Sequence, residues 1–143
     1  MNNNNIISTE KKNKIPSSKL LIKRNEDLNA KLKGPLNEID KLSIKKILSE
    51  HFLFKDKSPE IINNILEKIE IKNYPISSEI ESLDSFYIIK QGKIELINNL
   101  GQKSIYIEDE TFGEISVIEK KKNNIKVRII KDSIFFYFKR RNF

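Results

Sequence analysis

From Leu36 onward the apolar residues follow two successive periods. Up to about Ile69 they recur at helical spacing; beyond it they alternate with polar residues. Ile39, Leu42, Ile44, Ile47, Leu48 and His51 form an irregular apolar face, which predicts a helix ending near His51. The segment FLFKDKSP interrupts it. Ser58-Pro59-Glu60 then reads as a helix start, with Ser as N-cap and Pro at the first helical position. Ile61, Ile62, Ile65, Leu66 and Ile69 follow in one stripe, so a second helix is expected. The segments IEIKNY, SFYIIK, KIELIN, KSIYIED, IKVRII and DSIFFYF are short and rich in Ile, Phe, Tyr and Val. Turn residues separate them: Gln91-Gly92, Asn98 to Gly101, Asp109 to Thr111 and Asn123-Asn124. Ile94/Leu96, Ile105/Ile107 and Ile125/Val127/Ile129 alternate with Glu95, Tyr106, Lys126 and Arg128, the pattern of half-buried antiparallel strands. Helices first and strands after give an α+β class: two N-terminal helices followed by a small antiparallel β-barrel or sandwich.

Residues 1–35 have no sustained periodicity and end in the breaker Gly34-Pro35. They carry eight Lys/Arg against three Asp/Glu, so this stretch holds +5 of the chain's +7. Such a basic arm attracts nucleic acid, anionic lipid or an acidic partner electrostatically. A solvated, disordered Asn/Lys-rich tail has the same composition and is the expectation here, with nucleic acid not the expected partner. The remaining residues, 36–143, suffice for one domain of the 143-residue chain. No apolar run approaches the roughly 18 residues of a membrane helix, and no secretory h-region opens the chain. The absence of cysteine removes disulfides, thiolate metal sites and thiol nucleophiles together. A cytoplasmic protein is expected.

No catalytic constellation emerges. The sequence has no Gly-rich phosphate loop, no nucleophile elbow and no metal-ligand spacing, and its Asp and Glu residues are scattered. The single histidine, His51, is expected to pack at a helix end rather than to bind metal or transfer protons. Phe135, Phe136, Tyr137 and Phe138 are expected to fill the core from a strand. A non-enzymatic domain, with no metal and no cofactor, is therefore expected.

Several segments, in order and spacing, resemble the cyclic-nucleotide-binding domain of cyclic-nucleotide-dependent protein kinases, the protozoan ones in particular. IKKILSEHFLFKDKSPEIINNIL (Ile44 to Leu66) is similar to the family's N-terminal helices. SFYIIKQGKIEL (Ser85 to Leu96) is similar to its Phe-Tyr-Ile-Ile…Gly hairpin, with Gly92 in the turn. FGEISVIE is similar to the Phe-Gly-Glu opening of the phosphate-binding cassette, and DSIFFYFKRRNF to the last strand. The resemblance covers about residues 40–143. It implies a barrel or jelly-roll of the cyclic-nucleotide-binding type and a regulatory role in kinase signalling. The implied ligand is cAMP or cGMP, and the implied partner a kinase catalytic domain or another protein. It also implies that Glu114 accepts a bond from the ribose 2′-hydroxyl. Gly113 would let the backbone approach the ligand, and the N–H groups of Ile115 and Ser116 would face the cyclic phosphate.

The departures from the family pattern are informative. An Arg that forks onto the phosphate is expected eight to ten residues after the Glu; here Lys122, Asn123 and Asn124 fill that window. Lys122 is the candidate substitute, but it offers a point charge and no bidentate fork. PISSEIESLDS, before Phe86, lacks the family's Gly-Asp turn, so an abbreviated or irregular strand is expected there. The helices that cap the base in the family do not appear before Phe143. Weak or lost ligand binding is the resulting expectation. The alternatives are a protein-interaction module on the same barrel, and a Glu114 that is only a surface turn carboxylate.

Overall fold

The computed structural model describes residues 36–119 and 123–139, with Glu26 besides; of Asn123 and Asn124 only the backbone is described. The expected basic tail, Glu26 aside, and the candidate Lys122 lie outside the described residues.

Helix α1 spans Glu38–Glu50 and starts where the Asn37 side chain accepts the Asp40 N–H at 2.7 Å. Its buried line is Asp40, Ile44 and Leu48, spaced four residues apart. Ile39 and Leu42, expected on the apolar face, instead stand 76% and 67% exposed. The stripe is completed by a charge: Asp40 meets the Lys90 ammonium at 3.2 Å, and that ammonium also lies 5.7 Å from the centre of the Phe136 ring. Helix α2, Pro59–Lys68, begins as expected, with Ser58 accepting the Ile61 N–H at 3.3 Å and Ile65 and Leu66 buried.

Six strands form one antiparallel sheet: β1 (Glu70–Tyr74), β2 (Glu79–Leu83), β3 (Ser85–Ile97), β4 (Lys103–Ile107), β5 (Thr111–Phe112) and β6 (Asn123–Lys139). A short helix, α3 (Glu114–Glu119), lies between β5 and β6. The order is β1-β6-β3-β4, with β2 also paired to β6 and β5 to β3. Two expected turns are corrected. Gln91-Gly92 does not reverse the chain: β3 runs through it, with register shifts between Ile89 and Ile94 against β6. Gly92 adopts φ +118°, and a Cβ there would collide with Ser133, so the glycine permits a bulge that bends the strand. Asn123-Asn124 likewise opens β6 rather than forming a turn, and β6 continues unbroken through Asp132. The expected irregular strand is β2, whose register with β6 shifts between Glu81 and Leu83, where Ser82 takes φ 56°.

Alternate residues of β3 and β6 go to opposite faces. Phe86, Ile88, Phe136 and Phe138 pack with Ile44, Leu48, Phe54, Ile65, Leu66 and Val117 in a helix-side cluster. Tyr87, Ile89, Ile94, Val127, Ile129 and Phe135 pack with Leu83 and Phe112 in a second cluster. Strand residues alone build this second cluster, with all six strands contributing, so the sheet curls over itself. In β4 the expected inward pair is reversed. Tyr106 sits opposite buried Ile94, which leaves Ile105 and Ile107 49% and 52% exposed. Among the described residues no helix is long and apolar enough to cross a membrane.

Candidate functional site

The turn from β5 into α3 brings Phe112, Gly113, Glu114, Ile115 and Ser116 against β3. Tyr87 pairs with Phe112 in register, and their rings stack at 4.6 Å. Gly113 has φ +91°, and any Cβ would collide with the Ser85 carbonyl oxygen. Only glycine combines that dihedral with so close an approach. Ser116 is fully buried, its hydroxyl 2.7 Å from the Gly113 carbonyl and 3.2 Å from that of Ser85. Its N–H also donates to the Gly113 carbonyl, at 3.2 Å. Of the two N–H groups named for an anion, that of Ser116 is therefore engaged within the turn. Ile115 is 45% exposed.

Glu114 opens α3, with its carboxylate held in place. The Thr111 hydroxyl donates to Oε2, and His51 Nε2 lies 3.1 Å from the same oxygen. Both contacts thus fall on Oε2. His51 ends α1, where its N–H donates to the Leu48 carbonyl at 3.2 Å. The imidazole packs on Phe52 at 4.7 Å and meets the Phe86 ring edge-on at 5.2 Å. The expectation that His51 packs at a helix end holds, but the sequence did not indicate its bond to Glu114. The two residues are 63 positions apart; the only available signal was a lone histidine opening the HFLF segment.

Beside this pair lies an open cleft of about 590 Å³ between the second half of α1 and the β4–β5 turn, lined by Lys46, Glu50, His51, Tyr106, Glu110 and Thr111. Burial pushes the Tyr106 phenol above its ordinary pKa, and the charges of Glu114 and Glu110 push it further. No group of three or more His, Asp or Glu among the described residues could hold a metal ion. Arg128, on β6, is turned to carboxylates of its neighbouring strands, with Nε 3.4 Å from Glu79 and NH1 3.7 Å from Glu95. The structure thus brings Gly113, Glu114, Ile115 and Ser116 together in one turn and engages Arg128 elsewhere.

No protein-family profile and no curated protein matches the sequence. Solved structures do match. PfPKA-R bound to cAMP superposes with a TM-score of 0.67 at 21% identity, over 77% of this chain and 42% of that one. The regulatory subunit of a cAMP-independent protein kinase A from Trypanosoma cruzi, bound to guanosine, gives 0.65 at 20% identity, over 76% and 41%. The sensor domain of the transcriptional regulator DNR from Pseudomonas aeruginosa gives 0.58 at 19% identity, over 71% and 75%. The chain spans about two fifths of the two kinase regulatory proteins. All three neighbours are regulatory or sensor units rather than catalytic ones. Two helices before a curled antiparallel sheet, with a Phe-Gly-Glu turn leading into a short helix, give this chain the fold of a cyclic-nucleotide-binding domain.

Proposed function

We propose that this chain is a regulatory domain of a cyclic-nucleotide-dependent kinase signalling system that binds a cyclic purine nucleotide weakly. The reading rests on the Glu114 carboxylate at the start of α3, fixed on one oxygen by Thr111 and His51 beside a glycine that packs on Ser85. Glu114 is the ribose acceptor, Gly113 gives close backbone approach, and Ile115 and Ser116 continue the turn. Lys122 is the candidate phosphate partner. A regulatory neighbour bound to cAMP supports this reading. Weak binding follows from the cation: a lysine in place of a forked arginine gives up about 2 kcal/mol of charge-assisted hydrogen bonding, or roughly 30-fold in affinity. Arg128 is not taken as the phosphate partner: it lies on β6 with its guanidinium towards Glu79 and Glu95.

Titration calorimetry with cAMP and cGMP tests the proposal. Binding in the high-micromolar range, lost in Glu114→Ala and only reduced in Lys122→Ala, is the expected result. No heat and no thermal shift at millimolar ligand would overturn it. The second reading, a protein-interaction module without ligand, would then stand. It is favoured by Ile115 and Ile118 of α3, 45% and 56% exposed on one helix.

A further inference from the structure

His51 holds two hydrogen bonds through its ring, and together they fix its tautomer. Nδ1 lies 3.1 Å from the Leu53 backbone nitrogen, whose hydrogen it accepts. In the neutral ring the proton therefore sits on Nε2, aimed at Glu114 Oε2 at 3.1 Å. The ring itself is clamped, with a side chain only 10% exposed and packed against Phe52, Phe54 and Phe86. A glutamate side chain has three rotatable bonds, and holding it still for a ligand costs conformational entropy. Here two fixed donors, Thr111 Oγ1 and His51 Nε2, converge on one carboxylate oxygen. With both donors on Oε2, an incoming hydroxyl would meet the other oxygen, and the ordering cost is met before any ligand arrives.

We propose that His51 is a positioning residue: it orients Glu114 for a ribose hydroxyl and thereby sets the preference for ribose over 2′-deoxyribose ligands. The proposal rests on Glu114 being the ribose acceptor. It also makes the aim of that carboxylate depend on the C-terminal end of α1, because the imidazole is carried by the residue that caps the helix.

The test uses the full chain and two variants. His51→Phe keeps an aromatic ring among its neighbours but removes the donor; His51→Gln returns an N–H near the position of Nε2. Affinities for cAMP and 2′-deoxy-cAMP are measured by calorimetry. His51→Phe is expected to weaken cAMP roughly tenfold and to leave the deoxy ligand within about twofold, with His51→Gln restoring much of the difference. Equal weakening of both ligands, or of neither, would overturn the proposal. The ligand-free protein is examined in parallel by NMR. The Nε2–H tautomer of His51 is expected, together with a Glu114 side-chain carboxyl ¹³C resonance that moves in His51→Phe and returns in His51→Gln. An unmoved resonance overturns the positioning role. If the wild type binds neither nucleotide, the proposed function falls, while a moved and rescued resonance still supports His51 as the residue that positions Glu114.

Discussion

The two hydrophobic clusters differ in what they are made of and in what can disturb them. The helix-side cluster joins aliphatic residues of α1 and α2 to four phenylalanines, Phe54, Phe86, Phe136 and Phe138, and its buried members include no tyrosine. The strand-built cluster gathers all four tyrosines of the chain: Tyr87 buried, with Tyr74, Tyr106 and Tyr137 packed at its margin. One cluster is completed by helices packed on the sheet; the other is built by the strands and ends in phenol groups. The turn carrying Glu114 has a foot in each, Phe112 in the strand-built cluster and Val117 in the helix-side one. Four residues, Gly113 to Ser116, span the gap. The position of Glu114 is therefore set by both clusters, not by the sheet alone.

The strongest way to break this arrangement is Phe112→Ala, which removes a fully buried ring stacked on Tyr87. A loss of about 3–5 kcal/mol is expected, read as a lower urea midpoint at unchanged slope. Gly113→Ala follows. It forces a side chain into positive φ and against the Ser85 carbonyl, so a loss of roughly 1–3 kcal/mol is expected in the same assay. Relaxation of the turn would also misplace Glu114, so under the proposed function Gly113→Ala should weaken cAMP binding as well as stability.

Alkaline pH should sharpen the contrast, because all four phenols belong to the strand-built cluster and none of the helix-side cluster's buried residues is a tyrosine. Burial pushes the Tyr87 phenol up to about 12, with the charge of Asp84 adding to the effect. Burial, and next the neighbouring Tyr87 and Tyr137, pushes Tyr74 up as well. An unfolded phenol ionises near pH 10, so above that value the folded state holds more protons than the unfolded one. The stabilisation is thus complete below about pH 10 and is lost as pH rises towards about 12. Thermal midpoints should fall across this window, in step with phenolate absorbance at 295 nm. Midpoints that stay flat up to pH 12 would mean that the phenols are not buried as described. The smallest expected effect is that of Arg128→Ala. The guanidinium is 47% exposed and its pairs with Glu79 and Glu95 are long, so the loss should stay below about 1 kcal/mol.

The sequence made local features legible and left compensating ones hidden. Ser58-Pro59 specified the start of α2 because capping chemistry is written in adjacent residues. Phe135, Phe136 and Phe138 of the aromatic run are buried as expected while Tyr137 is only half-buried, and nothing local shows that the run divides between two clusters. Gln91-Gly92 looks like a turn, since a glycine that reverses a chain and one that permits a bulge carry the same signature; Ser133, 41 residues on, decides between them. Ile39 and Leu42 suggested the wrong face of α1 because the buried stripe includes Asp40, whose partner Lys90 lies 50 residues away. At the site, Gly113 and Glu114 could be named from their motif. The hold of His51 on Glu114 depends on how α1 docks to the sheet, which no short motif encodes.

The long strand β6 has a consequence for how the protein is made. In the sheet it is the partner of β1 and β2, which pair with nothing else among the described strands, and it also runs along most of β3. Glu70 must find Tyr137, and Ser85 must find Lys139, across loops that are costly to close. A chain that has emerged only as far as α3 lacks the partner strand of both β1 and β2. Productive folding waits for β6 to leave the ribosome. Without β6 the edges of β1 and β2 have no partner strand, and unpaired edges of this kind favour association with other chains over folding.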